Sequence, residues 1–274
     1  MWRRDEIPKE LLDKYYRGDY FDWEMDSNEK LLKIILNKKA SLDDQLTAIT
    51  LAGDLGVIDL EVVSVFNKLI QDKEKDYSIR LSAMMALEPI LQEVQLSDYL
   101  DEVDILESQG ENDLIKLSDL EETLKILHDV YFDYGEDELI RRTALYISSH
   151  VPNDWCNKEV EIAYRSNNAS WKETAVKCFE FIPGYNEEVL EILEGKDKNL
   201  KIAALPAIGS QRILEALPTV VKIIEKERGN VELFTDACSL VLGMDVPHAT
   251  DLIKDQYGYS DEFDHAISSV LMKL

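Results

Sequence analysis

Six alanines recur along the chain at similar intervals, each inside an apolar stretch of helical period. Successive positions differ by 35, 61, 31, 29 and 33 residues for Ala48, Ala83, Ala144, Ala175, Ala204 and Ala237. A small side chain at the middle of a helix lets a neighbouring helix approach closely. Intervals of this size are typical of stacked helical hairpins, and the one doubled interval predicts an insertion between two helices.

The repeat is clearest over residues 197–224, which predict two short helices packed back to back. The first helix carries an apolar stripe at positions i, i+4, i+7 and i+8, formed by Leu200, Ala204, Ala207 and Ile208. Gly209 is expected to end this helix. Because proline is tolerated at the first turn of a helix and costly inside it, four prolines that each follow one apolar period and precede another are expected to mark the joint between the two helices of a repeat. These prolines are Pro152, Pro183, Pro218 and Pro247.

Three segments share an apolar residue, a basic residue after it and an alanine three positions later. They read Ile79-Arg80-x-x-Ala83, Ile140-Arg141-x-x-Ala144 and Leu200-Lys201-x-x-Ala204, the last with Leu217-Pro218 after it. On these residues the chain resembles the short bacterial HEAT-like repeats that also occur in phycobilin lyases. The resemblance covers roughly residues 41–274 and implies an all-α, right-handed α-solenoid of about six helical hairpins. It also implies that the basic residue ties neighbouring repeats together and that the second helices line the concave face.

The repeat pattern divides the chain into a cap, an array and a closing helix. Residues 1–40 are expected to form an aromatic-rich N-terminal cap, residues 41–257 the HEAT-like repeats, and residues 258–274 a C-terminal capping helix. An acidic insertion is predicted at 96–117, before a helix that opens with the capping box Ser118-x-x-Glu121. The aromatic N-terminal segment has an alternative interpretation as a contact site for a partner, because exposed Tyr and Trp favour interfaces.

Acidic residues far outnumber basic ones, with 55 Asp and Glu against 30 Lys and Arg, for a formal net charge of −25. Such a chain repels phosphate backbones and anionic lipids, so we expect no nucleic-acid and no membrane binding, and instead attraction to basic proteins. Residues 96–140 hold fifteen of the acids and two of the bases, a net charge of −13. This region is interpreted either as solvated surface or as a docking surface for a basic partner.

The sequence lacks the patterns of common catalytic and metal sites. None of the four histidines has a His or Cys neighbour at ligand spacing, and the acids at 98–104 lack the glycine and spacing of a calcium loop. Three cysteines, an odd number without close spacing, argue against a disulfide scaffold. We therefore expect no catalytic residue, no cofactor and no metal. Because no signal peptide and no membrane-length apolar run is visible, the expected location is cytoplasmic.

These patterns predict a non-catalytic scaffold or adaptor that binds a basic protein. Two alternatives stay open: an immunity or inhibitor protein that neutralises a basic toxin or nuclease, and a lyase-type HEAT enzyme. The binding site is expected in the acidic region or on the concave face, and for Trp155 core packing is the competing role. The predicted contact residues are Asp98, Asp101, Glu102, Asp104, Glu121, Glu122, Asp129, Asp133, Trp155 and Tyr164. The oligomeric state does not follow from the sequence.

Overall fold

The regular elements of the described chain are helices, as the alanine periodicity predicts. The computed structural model describes residues 27–54, 60–92, 117–151, 153–227 and 229–272, and no strand occurs within these ranges. The predicted N-terminal cap up to residue 26 and the predicted insertion up to residue 116 lie outside the described residues. The chain divides into two units, residues 1–153 and residues 154–274.

Six α-helices with fully described bounds lie in the first unit. They are α1 (Ser27–Ile35), α2 (Leu42–Asp54), α3 (Leu60–Gln71), α4 (Tyr77–Met85), α5 (Glu121–Phe132) and α6 (Glu138–Ser148). A 3-10 turn, Leu117–Leu120, leads directly into α5. A short helical segment at residues 88–92 follows α4.

Eight further α-helices lie in the described part of the second unit. They are α7 (Asp154–Tyr164), α8 (Ala169–Cys178), α9 (Asn186–Glu194), α10 (Lys198–Ser210), α11 (Leu217–Lys226), α12 (Val231–Gly243), α13 (Ala249–Lys254) and α14 (Asp261–Leu271). A 3-10 turn, Leu214–Ala216, precedes α11. The helix predicted to close the chain is present as α14, and it packs against α12 and α13.

The helices of each unit stack in two layers. In the first unit, α3 packs between α1 and α5, while α4 packs between α2 and α6. In the second unit, α8, α10, α12 and α14 pack side by side in one layer, and α9 packs on α11 in the other. The described part of each unit is therefore an all-α stack of helical hairpins, as predicted, whereas the right-handed sense of the solenoid stays a prediction.

The six periodic alanines lie where the layers meet. All of them are completely buried: Ala48, Ala83, Ala144, Ala175, Ala204 and Ala237. The backbone at Gly53 lies even closer to its neighbour. A Cβ atom placed on Gly53 would come within 2.8 Å of both the Cβ and the carbonyl oxygen of Ala86. At this point α2 meets the end of α4 with no room for a methyl group.

A repeated turn joins the helices of the first unit, and its three positions are spaced four residues apart. The first position, at Asn37, Asp72 and Asp133, accepts a hydrogen bond from the backbone N–H two residues on. The second position caps the next helix: Asp76 accepts from Ser78 N–H and Asp137 from Leu139 N–H, while Ser41 accepts from Asp44 N–H. Each turn is thus closed by its own side chains.

The third position of the turn reaches back to the preceding helix. Gln45 donates to the carbonyl oxygen of Ile35 at 3.2 Å, Arg80 to that of Ile70 at 3.0 Å, and Arg141 to that of Tyr131 at 2.8 Å. In each case the acceptor lies ten residues upstream, at the end of a helix whose last carbonyls lack intrahelical partners. The polar side chain therefore satisfies the end of one helix while it belongs to the next.

This turn determines which consecutive helices pair. Extensive contacts in the first unit join α1 to α2, α3 to α4 and α5 to α6. Each such pair combines the second helix of one predicted repeat with the first helix of the next, so the observed hairpins are offset from the predicted ones. The same offset occurs in the second unit, where α7 packs on α8, α9 on α10 and α11 on α12.

Proline positions agree with the predicted joints in the described chain. Pro183 lies between α8 and α9, Pro218 at the first turn of α11, and Pro247 between α12 and α13, whereas Pro152 lies outside the described residues. Pro89 lies just after a break in the helix, because α4 ends at Met85 and helix resumes only at residue 88. Its ring would clash with the carbonyl group four residues earlier, at Met85.

Gly53 provides a test of the packing between α2 and α4. We expect Gly53→Ala to lower the free energy of unfolding by about 1–3 kcal/mol, because the added methyl group overlaps the backbone of Ala86. This loss exceeds the roughly 1 kcal/mol that alanine gains over glycine from helix propensity. Urea denaturation followed by circular dichroism measures the difference.

Gly243→Ala is the matched control, because Gly243 lies at the end of α12 and a Cβ atom there would have no neighbour within 4 Å. We expect this variant to unfold at the same urea concentration as the parent or at a slightly higher one. Equal stability of the two variants would contradict the close approach at Gly53.

Candidate binding surface

Helix α5 carries three of the predicted contact residues, a fourth, Asp133, is its C-cap, and the turn before α5 positions the start of the helix. Leu120 ends the 3-10 turn and is completely buried, so it anchors the start of α5. The predicted capping box is wrong: Ser118 lies inside the 3-10 turn, and the N-cap of α5 is Leu120, with no side-chain capping bond. The 3-10 turn pairs backbone groups three residues apart, which replaces the capping that Ser118 was expected to supply.

The three acids on α5 point to solvent. Glu121, Glu122 and Asp129 are exposed, and we call this group the α5 acidic face. Lys125 is also exposed and lies one helical turn from Glu121 and one from Asp129. The opposite side of the helix packs inward through Thr123, Ile126, Leu127, Val130 and Tyr131. The amphipathic pattern of α5 therefore keeps these carboxylates available to a partner.

Asp133, the fourth acid, is used inside the fold. Its carboxylate accepts a hydrogen bond from Lys73 and another, at 3.0 Å, from the backbone N–H of Gly135. The hydrogen bond from Lys73 is the main reason that the pKa of Asp133 lies below its usual value, and it raises the pKa of Lys73 in turn. Asp133 thus closes the turn between α5 and α6, and its charge is balanced within the molecule.

A buried ion pair lies beside Asp133. The guanidinium of Arg80 donates to both carboxylate oxygens of Glu136, at 3.0 and 2.6 Å, with side chains only 6% and 9% exposed. The hydrogen bond from Arg80 outweighs the effect of burial and holds the pKa of Glu136 below its usual value. Because Arg80 belongs to α4 and Glu136 to the turn after α5, the pair joins consecutive hairpins, as the family resemblance implies.

An open groove of about 190 Å³ brings these groups together. It is lined by Gln71, Lys73, Arg80, Ile126, Asp129, Val130, Asp133 and Glu136. Of the predicted contact residues, Asp129 and Asp133 therefore share one groove with two cationic side chains. The groove carries charge of both signs rather than the uniformly negative charge that the sequence suggests, since Lys73 and Arg80 each pair with a carboxylate.

Trp155 and Tyr164 lie in the second unit and are both half-buried in α7. The ring of Tyr164 packs edge-on against Phe179 with centroids 5.2 Å apart, and Lys172 Nζ lies 4.9 Å from its centre. Burial, followed by the nearby charges of Glu188 and Glu191, raises the pKa of Tyr164. Tyr164 is thus a packing residue of the α7–α8 pair that keeps a partly exposed edge. The acids Asp98, Asp101, Glu102 and Asp104 lie outside the described residues.

One polar cluster is not predicted by the sequence. Glu88 accepts a hydrogen bond from the Tyr146 hydroxyl at 2.9 Å, and the same carboxylate oxygen lies 3.4 Å from His150 Nε2. His150 is completely buried, and its Nδ1 lies 3.2 Å from the carbonyl oxygens of Tyr146 and Ile147. Residues 58 and 62 positions apart share no local pattern, so only the packing of α6 against α4 brings them together.

The described chain offers little that resembles a reaction centre. No group of three or more His, Cys, Asp or Glu side chains in the described ranges is placed to hold a metal ion. The three cysteines are buried, and burial raises the pKa of Cys156 far above its usual value, which keeps its thiol protonated. Across the same ranges, the helices are too short or too polar to cross a bilayer.

Comparisons with known proteins leave the family open. No protein-family model matches the chain, and no curated protein matches it. Among solved structures, the chain is similar to human deoxyhypusine hydroxylase in complex with glycerol, with a TM-score of 0.37 and 11% sequence identity. The similarity covers 90% of this chain and 96% of that one. Structural similarity at this level does not indicate a shared activity.

Removing the charge of Glu136 should change both the free energy of unfolding and its dependence on pH. We expect Glu136→Gln to lower the free energy of unfolding by about 3 kcal/mol at pH 7, because it leaves the buried Arg80 without its counter-charge. The folded-state pKa of Glu136 is depressed, so the pair stabilises the fold above the unfolded pKa of about 4.3 and loses that effect as the pH falls below it. The variant should therefore lose less stability than the parent on acidification from pH 6 to pH 3.

Glu29→Gln is the matched control, because Glu29 pairs with Lys33 at 3.3 Å on the surface of α1, where both side chains are about 70% exposed. We expect a change below about 0.5 kcal/mol and an unaltered acid dependence. Denaturant titrations at a series of pH values measure both quantities. Parallel stability curves for the parent and Glu136→Gln would contradict the assigned role of the buried pair.

Proposed function

We propose that this protein is a non-catalytic scaffold or adaptor of the cytoplasm that binds a basic protein partner. The observation that carries the proposal is the α5 acidic face, whose carboxylates are solvent-exposed while the neighbouring acids Asp133 and Glu136 are neutralised inside the fold. An exposed carboxylate is available to an outside cation, and Asp129 Oδ1 also lies 3.2 Å from Nδ1 of the neighbouring His128.

The chain around α5 is strongly acidic beyond these three residues. Residues 96–140 carry fifteen acids and two bases, in a chain whose formal net charge is −25. A field of one sign attracts an oppositely charged protein from a distance and accelerates its association, more strongly at low salt than at high salt. Binding through this region should therefore weaken as the ionic strength rises.

The way the helices are held together supports a binding role. Turn residues such as Asp76 and Asp137 cap the helices, and Arg80 and Arg141 fasten each helix to the one before it. A surface carried on helices fixed in this way is preformed, so little conformational entropy is lost when a partner binds. Stacked helical hairpins present wide surfaces of this kind.

A pull-down from native lysate at low and moderate salt tests the proposal. The α5 variant combines Glu121→Gln, Glu122→Gln and Asp129→Asn, and a second variant replaces Asp98, Asp101, Glu102 and Asp104 with serine. We expect the parent to retain a basic protein, and each variant to bind the purified protein at least about tenfold more weakly, a loss of about 1.4 kcal/mol. Calorimetry with the purified partner measures the affinities.

The matched control carries Glu187→Gln, Glu191→Gln and Glu194→Gln on α9, three exposed acids of the second unit. It removes the same number of charges from the chain, so a loss of net charge alone would weaken it equally. Retention by the control together with loss in the α5 variant would assign the binding to the α5 acidic face. Equal binding by the parent and the α5 variant would refute that assignment.

A further inference from the structure

A second groove lies in the first unit, on the layer formed by α2, α4 and α6. It has a volume of about 330 Å³ and is open to solvent, and its lining includes Thr50, Leu81, Ser82, Met85, Glu88 and Pro89. The α5 acidic face belongs to the other layer of this unit, formed by α1, α3 and α5. The groove is therefore a separate site from the one proposed above.

The walls of this groove are largely apolar. Met85 exposes 44% of its surface at the end of α4, and Leu81 lies one helical turn before it. Pro89 opens the next helical segment and completes the wall. Flexible methionine and aliphatic surfaces suit the methylene groups of a long side chain.

A carboxylate belongs to the lining of this groove. Glu88 Oε1 is fixed by the Tyr146 hydroxyl and lies beside His150, whereas Oε2 makes no hydrogen bond to any described residue. The Glu88 side chain keeps 24% of its surface exposed. Burial raises the pKa of Glu88, but the contacts with His150 and Tyr146 outweigh it and leave the pKa below its usual value. The carboxylate is therefore ionised and oriented at neutral pH.

Two residues with hydroxyl groups also line this groove. Thr50 Oγ1 donates to the carbonyl of Leu46 at 3.1 Å, which leaves its oxygen lone pairs able to accept. Ser82 lies on α4 three residues before Met85 and contributes a second hydroxyl to the lining. A guanidinium group has five N–H donors in a planar arrangement, whereas an ammonium group has three donors around one point.

We propose that this groove binds an arginine side chain of the basic partner, with its methylene groups against Leu81 and Met85 and its guanidinium on Glu88. This inference rests on the proposed function and adds to it a specific anchor point and a preferred residue type. Charge complementarity selects this occupant, because the apolar wall ends at an ionised carboxylate in a chain of net charge −25. Arginine is also one of the residues that most often contribute strongly to interface energy.

The test uses N-acetyl-arginine amide as the probe and the full chain labelled with ¹³C at the methionine methyl groups. The Met85 signal is assigned by its loss in Met85→Leu, and the completely buried Met84 is the internal reference. We expect a saturable shift of the Met85 signal with a dissociation constant in the millimolar range, as suits a single side chain. The Met84 signal should move much less.

N-acetyl-citrulline amide is the decisive comparison, because citrulline has nearly the shape of arginine and no charge. We expect it to bind at least about tenfold more weakly, and N-acetyl-lysine amide to bind several-fold more weakly than the arginine probe. Equal binding of citrulline would overturn the role of Glu88, and equal binding of lysine would overturn the preference for arginine. No shift with the arginine probe would overturn the site.

Glu88→Gln supplies an independent variant, since its amide oxygen still accepts from Tyr146 while the charge is removed. We expect it to bind the arginine probe at least about tenfold more weakly, and Glu29→Gln, on α1, to bind it like the parent. The comparison of arginine with citrulline uses the parent protein, so the proposal stays testable if Glu88→Gln does not fold. A Met85 signal that moves with protein concentration in the absence of a probe would instead identify a second copy of the chain as the occupant.

The outcome is distinguishable from that of the pull-down. A probe that binds the groove while the α5 variant retains the partner would leave the groove as a site and refute the α5 acidic face. Loss of the partner in the α5 variant, together with no binding of the arginine probe, would refute the groove alone.

Discussion

A side chain that reaches ten residues back along the chain holds each hairpin of the first unit together. Gln45, Arg80 and Arg141 each donate to a carbonyl at the end of the preceding helix. Helix ends leave such carbonyls without partners, and burying them unpaired would cost free energy. The hydrogen bond therefore fixes a short turn, the turn fixes which helices pair, and the stacking of those pairs produces the two layers.

The acidic residues of this protein perform two different tasks. Asp76, Asp133, Glu136 and Asp137 cap helices, close turns or neutralise buried cations, so their charge is used within the fold. The α5 acidic face projects into solvent instead. A count of charges along the sequence treats all of these residues alike. Of these two groups, only the second presents exposed charge to a basic partner, which is why the proposed function depends on exposure as well as on charge.

The two proposed sites would recognise a basic protein through different kinds of interaction. The α5 acidic face acts through exposed charges, which steer association and are screened by salt. The groove at Glu88 combines apolar walls with a carboxylate already oriented by Tyr146, an arrangement suited to one desolvated side chain. Since the sites lie on opposite layers of the first unit, a partner that uses both would wrap around the stack, and a partner that uses one would leave the other free.

The sequence by itself determined the helical class, the buried alanines and most helix bounds, because these depend on local period and on residue size. The turn motif is also visible in the sequence as a spacing of four residues, from Asp72 through Asp76 to Arg80, and the same spacing recurs from Asp133 to Arg141. The stacking of one hairpin on the next, the neutralisation of Asp133 by Lys73 and the meeting of Glu88 with His150 were decided by the tertiary structure alone. These contacts join residues about 60 positions apart, and no local pattern specifies them, because they exist only once consecutive hairpins stack.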